Sequence, residues 1–115
     1  MTNYIPERQD IIWLDFDPSA GNEIRKRRPA LVISNFGYSN MTGLTMVCPI
    51  THATKNNLKH TGLLIPLSDI PDVDGFINPL QLYTQDFSAR NARKIDELDD
   101  ETFYEVITII HDLIN

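Results

Sequence analysis

DIIWLDFDPSAGNEIRKRRPALVISN, residues 10–35, sets two short apolar runs, IIWLDF (11–16) and ALVISN (30–35), on either side of a long polar loop. Brief runs rich in β-branched, leucine and aromatic residues, bounded by turn formers, read as strands. In the first run Ile12, Leu14 and Phe16 alternate with Ile11, Trp13 and Asp15, which places one apolar set on a core face and a mixed set outward. Trp13 fits either a partly buried surface position or an interface. Working outward, LTMVCPI (44–50), TGLLIPL (61–67), FINPLQLYT (76–84) and FSARNARKI (87–95) read as further strands, with NFGYSNMTG and SDIPDVDG as turns between them. The period then changes. Phe103, Val106, Ile107, Ile110, Leu113 and Ile114 recur at helical spacing, with Asp99 or Asp100 available as the cap and Glu101 in the positive first turn. The chain therefore reads as mainly β with a C-terminal helix, a small barrel or sandwich forming one domain over residues 1–115.

Composition narrows the function classes. No run approaches the roughly 20 apolar residues that cross a bilayer, and the opening MTNYIPERQD has neither the basic nor the apolar part of a secretory signal, so a cytoplasmic protein with no membrane partner is expected. Cys48 is the lone cysteine, which excludes an internal disulfide and a cysteine-based zinc cluster and leaves it as an apolar filler. Neither a metal nor another cofactor is expected. The net charge of −6 would argue against nucleic acid if it were evenly spread. From Pro18 to His60, however, the basic residues Arg25, Lys26, Arg27, Arg28, Lys55 and Lys59 face a single acid, Glu23, whereas beyond Lys94 seven acids stand with no lysine or arginine. The acidity belongs to one end and the cationic field to the other.

Two elements carry the chemistry. The loop DPSAGNEIRKRRP is long for a hairpin and ends in four cations, the last of them, Arg28, held against Pro29 and a strand. In CPITHATK a strand ends and Thr51 and His52 precede Lys55, Lys59 and His60. A hydroxyl beside cations suits phosphate oxygens, although each of these residues taken alone is more often an ordinary strand, turn or surface residue. His52 and His60 could serve as acid and base, yet nothing in the spacing brings them together. His111 lies off the helix's apolar stripe and reads as inert.

Taken in order, DIIWLDFDPSAGNE, RRPALVIS, the CPIT segment and the terminal helix make the chain resemble the MazF/PemK family of toxin endoribonucleases over nearly its whole length. The resemblance implies an SH3-like β-barrel of the kind shared with the CcdB gyrase poisons, a homodimer, an antitoxin partner with a flexible acidic C-terminal segment, and metal-independent cleavage of single-stranded RNA. It places catalysis on Arg28 and Thr51. Glu23 would bind substrate or shape the loop, and Arg25, Lys26, Arg27, His52, Lys55, Lys59, His60 and Gln81 would line the substrate path. Two departures bear on sequence preference: Lys26 stands where many members have glycine, and Leu80 precedes Gln81 where an acid is common. The Gln81 carboxamide suits a base edge, and a structural role on a dimer-facing strand suits it equally. Two other functions fit the same barrel, a gyrase-targeting poison and a non-catalytic nucleic-acid-binding module. The first has no use for Arg28 with Thr51, and the second needs the basic loop but not Thr51.

Overall fold

The computed structural model describes residues 4–16, 27–52, 61–67, 70–71 and 73–115. In chain order these form β1 (Asp10–Asp15), β2 (Arg27–Val32), α1 (Phe36–Thr42), β3 (Leu44–Thr51), β4 (Ile65–Leu67), β5 (Gly75–Ile77), β6 (Tyr83–Asp86), β7 (Arg93–Glu97) and α2 (Asp100–Ile114). One seven-stranded sheet runs β4-β5-β3-β2-β1-β7, and its paired neighbours are antiparallel. The sheet forks at β3. One edge of β3 pairs with β2, while the other pairs with β6 along its first half and with β5 at its end.

Both faces of the sheet carry a buried cluster, so Ile11 is in the core rather than outward, while Trp13 and Asp15 on the same face of β1 stay partly exposed as expected. Ile11, Leu31, Cys48, Ile50 and Ile77 pack under Phe103, Val106 and Ile110 of α2. Ile12, Leu14, Ala30, Val32 and Val47 form a second cluster on the opposite face, with Tyr4, Phe16 and Ala92 against it. The curvature of a small sheet makes this possible, because both sets of alternating side chains then leave water, each full aliphatic burial contributing roughly 1.5–3 kcal/mol. Trp13 is half-buried. Cys48 is fully buried, and desolvation pushes its thiol up to about 12, as suits a filler.

The terminal helix starts where its sequence predicts. Asp99 is the cap, accepting from the Thr102 backbone N–H and hydroxyl at 2.9 Å each, and these bonds hold its carboxyl below the usual range. Four expectations need correction. NFGYSNMTG is not a plain turn, since Asn35 caps α1 by accepting from the Tyr38 N–H and Gly43 ends it at φ 78. Only Ile65–Leu67 of TGLLIPL pairs. The run 76–84 is two strands, interrupted at Asn78–Leu82, where Pro79 has no N–H to offer a ladder. The run 87–95 begins as a turn, its first residues bound by the Asp86 carboxylate and closed by Asn91 at φ 56, and the strand comes at Arg93–Glu97.

Candidate functional site

The second core cluster turns polar where β2 and β3 leave it. Along β2 the residues on that face are Val32 and Ala30, both fully buried, and then exposed Arg28. Along β3 they are Val47, Pro49 and Thr51. The ladder pairs Val32 with Val47 and Ala30 with Pro49. The β2–β3 pairing stops there, and Arg28 and Thr51 are the next residues of their strands on this face, each two positions beyond the Ala30–Pro49 pair. On its other side Arg28 pairs with Leu14 of β1. A guanidinium and a hydroxyl thus share one rim of the sheet.

Two features single out Thr51. Its Oγ1 is buried and has no hydrogen-bond partner; among the described residues Ser39 is the other such case, within α1. An unsatisfied buried hydroxyl costs about 1–3 kcal/mol, so its retention calls for a reason. Gly75 of β5 also lies directly against the Thr51 main chain, since a Cβ built there would stand 2.5 Å from the Thr51 carbonyl oxygen. With Phe76 paired to Thr51, this contact fixes where β3 ends. His52 follows and is exposed.

Arg27 is already engaged. Its Nη1 donates to Asp15 Oδ1 at 2.9 Å and its Nη2 to the Asn91 carbonyl at 2.7 Å, while Asn91 Nδ2 donates to Asp15 Oδ2 at 2.8 Å. Arg90 Nη1 donates to the Phe16 carbonyl at 3.0 Å. Both ends of the first loop are therefore tied to the turn before β7. Beside this brace lies a groove of about 540 Å³ whose wall includes Arg27, Arg93, Ser88 and Tyr4. Phe16 and Tyr83 meet edge to face, with ring centroids 5.5 Å apart, on the same sheet face as Thr51. Gln81 is exposed in the interruption between β5 and β6.

Of the residues singled out in the sequence, Arg28, Thr51, Arg27, His52 and Gln81 are thus placed, and the first two lie on one face of neighbouring strands, just past the end of their pairing. Glu23, Arg25, Lys26, Lys55, Lys59 and His60 lie outside the described residues. Sequence reading missed Gly75, Asp15, Asn91 and Arg93. The glycine after an aspartate, in VDG, carries only a turn signal in the sequence, and nothing local marks Asp15 and Asn91 as partners 76 positions apart.

Residues 7–114 match the family model described as PemK-like, MazF-like toxin of type II toxin–antitoxin system. The chain is 37% identical over 103 residues to the endoribonuclease toxin ChpB of Escherichia coli K12, covering 88% of this chain and 87% of that one. It is 44% identical over 55 residues to the endoribonuclease toxin MazF of the same organism, a match that spans 48% of this chain and only half the length of that relative. Among solved structures, a MazE–MazF crystal structure from Deinococcus radiodurans superposes with a TM-score of 0.85 at 30% identity, covering 97% of both chains.

Proposed function

Because the chain belongs to the PemK-like, MazF-like toxins of type II toxin–antitoxin systems, we infer that it is an endoribonuclease toxin that cuts single-stranded RNA at specific sequences, without a metal, in the cytoplasm. The observation that carries this reading is the buried, unpartnered Thr51 hydroxyl, on the same sheet face as Arg28 just beyond the end of the β2–β3 pairing. A phosphate oxygen that displaces the atoms covering it would supply the missing acceptor. A gyrase-type poison or a passive binder gives no reason to keep that hydroxyl unsatisfied.

RNA brings its own nucleophile. The 2′-oxygen forms a bond to phosphorus as its proton leaves to a base, and the bond from phosphorus to the 5′-oxygen breaks as that oxygen takes up a proton. The products are a 2′,3′-cyclic phosphate and a 5′-hydroxyl. Charge grows on the two nonbridging oxygens, where Arg28 supplies fixed positive charge and Thr51 a hydrogen bond. A guanidinium holds its protons too firmly to be the base. Imidazoles exchange protons near neutrality, and His52, next to Thr51 in the chain, or His60 is the carrier this reading assigns. Glu23, Arg25, Lys26, Lys55 and Lys59 supply the remainder of the substrate path. The groove beside Arg27 and Arg93 offers cations to the neighbouring phosphates. Defined RNA incubated with the protein in EDTA is expected to yield 5′-hydroxyl and cyclic phosphate ends; intact RNA, or 5′-phosphate ends, would refute the reading.

Thr51→Val gives a separable test. The valine keeps the shape and removes the orphan hydroxyl, so the folded state is expected to hold its stability or gain up to about 1 kcal/mol while turnover falls. Thermal melts and kcat read the two effects, and a variant that is destabilised yet fully active would contradict the assignment.

The partners follow from the same surface. The relative from Deinococcus radiodurans was solved as a MazE–MazF complex, and the field from Pro18 to His60 suits a flexible acidic antitoxin segment as well as RNA. The toxin itself is expected to be a homodimer carrying two such sites. Sedimentation with a labelled uncleavable RNA is expected to show a dimer that releases the RNA when the antitoxin is added, both associations weakening with salt. A 13.2 kDa monomer, or RNA retained on the antitoxin complex, would overturn these assignments.

A further inference from the structure

Between Asn78 and Tyr83 the chain leaves the side of β3 and returns to it. The Asn78 N–H donates to the Pro49 carbonyl at 2.9 Å, and β6 resumes with Tyr83 opposite Val47. Five steps along this segment therefore match two along β3, and the surplus stands out from the sheet with Gln81 exposed on it. Asn78 organises the excursion from within, being only 3% exposed. Its Oδ1 accepts from the Leu80 N–H at 3.0 Å, its carbonyl accepts from the Gln81 N–H at 3.3 Å, and its Nδ2 donates to Gln81 Oε1 at 3.4 Å.

These bonds carry a direction. A backbone N–H must meet an oxygen, so the Leu80 contact fixes which way round the Asn78 amide lies. The Asn78 NH₂ then faces Gln81, and Gln81 must answer with its oxygen. The Gln81 NH₂ is thereby turned away from Asn78, on an exposed side chain. A glutamine with both ends free pairs with adenine by accepting from N6 and donating to N7. A glutamine whose oxygen is turned to a neighbour keeps a second lone pair, but it cannot set that oxygen and its NH₂ side by side against one adenine edge.

From this chain of bonds we propose that Asn78 sets the polarity of Gln81, so that Gln81 meets RNA as a donor and selects a base with a carbonyl at the contacted edge, uracil through O4 or guanine through O6. The inference rests on the endoribonuclease reading and deepens it, with Asn78 as a positioning residue for a base-reading one. Adenine and cytosine present an amine at the equivalent position, donor against donor. A well-placed contact of this kind separates bases by roughly tenfold to a hundredfold.

The test is cleavage-site sequencing on an RNA pool randomised around the scissile bond, with thermal melts alongside. The wild type is expected to require uracil or guanine at one position, and Gln81→Ala to lose about tenfold or more of that preference there alone. Asn78→Asp keeps the oxygen that the Leu80 N–H needs but offers Gln81 an acceptor, which turns the Gln81 oxygen toward RNA and reverses the preference to adenine or cytosine. Gln81→Glu reaches the same reversal on an exposed residue: one carboxylate oxygen accepts from Asn78 and the other faces the base. This second variant decides the matter if Asn78→Asp does not fold. A wild-type motif that Gln81→Ala leaves unchanged, or a carbonyl preference retained in the folded polarity variants, overturns this inference alone. A wild type that cuts no RNA refutes the ribonuclease reading beneath it.

Discussion

Arg28→Ala is expected to lower RNA cleavage by on the order of 10² or more, the usual cost of removing a positioned donor from charge that grows in a transition state. The fold is expected to tolerate it. Arg28 is exposed at the start of β2, and no hydrogen bond ties its side chain to another described residue, so truncation removes no packing that the core depends on. Surface changes of this kind usually stay within about 0.5 kcal/mol. Arg28→Lys is expected to recover only part of the rate, because an ammonium supplies charge without the planar fork that grips two phosphate oxygens. Arg27→Ala should behave differently. Its guanidinium braces Asp15 and Asn91, so that change is expected to lower the melting temperature as well as substrate affinity. Single-turnover rates and melts on the two variants separate these roles, and full activity in a folded Arg28→Ala protein would remove the proposed site.

Gly75→Ala is expected to cost both stability and rate. At φ 127 a residue with a Cβ is strained by about 1–3 kcal/mol wherever it sits. Here the added carbon would also meet a backbone atom, the Thr51 carbonyl oxygen at 2.5 Å, which cannot swing aside as a flexible side chain could. Either β5 moves off β3, uncovering fully buried Ile77, or the end of β3 moves and takes Thr51 with it. A loss of a few kcal/mol in a domain of this size corresponds to roughly 10 °C or more in Tm. The surviving folded fraction is expected to show a lower kcat. A double-mutant comparison isolates the positional part: in a Thr51→Val background, Gly75→Ala should lower Tm by the same amount but add little further loss in kcat. Equal losses in both backgrounds would mean that Gly75 supports the fold without placing Thr51.

The elements that could be read from the chain are those whose period and boundaries agree. β1, β2 and β3 are apolar runs ended by Asp15, by Arg27 and Arg28 before Pro29, and by Thr51, and α2 repeats its apolar residues over four turns behind an aspartate cap. The helix α1 escaped because it is seven residues long, carries Gly37 and, apart from Met41, only weaker helix formers, and is held by its ends, Asn35 and Gly43, and by packing on β3. FINPLQLYT looked continuous because its apolar content runs through the interruption. Pro79 and the inward-facing amide of Asn78 divide it, the first legible as a strand breaker and the second a feature of tertiary packing that no period records. At the site, Arg28 and Thr51 could be named from their motifs, but their placement on one face of neighbouring strands follows from the long-range pairing of β2 with β3. The contact from Gly75 to Thr51 and the brace from Asp15 to Asn91 are likewise long-range, and each becomes visible only once the sheet is assembled.

The central claim is that the substrate's own 2′-oxygen attacks phosphorus while Arg28 and Thr51 hold the nonbridging oxygens. Its most direct measurement is single-turnover cleavage of an RNA whose scissile nucleotide alone is 2′-deoxy, with binding followed in parallel. The oligonucleotide is predicted to bind with the affinity of the all-ribose strand, to inhibit its cleavage by competition, and to remain uncut. Cleavage of the deoxy substrate at the same bond would show that water or a protein group is the nucleophile and would contradict the account.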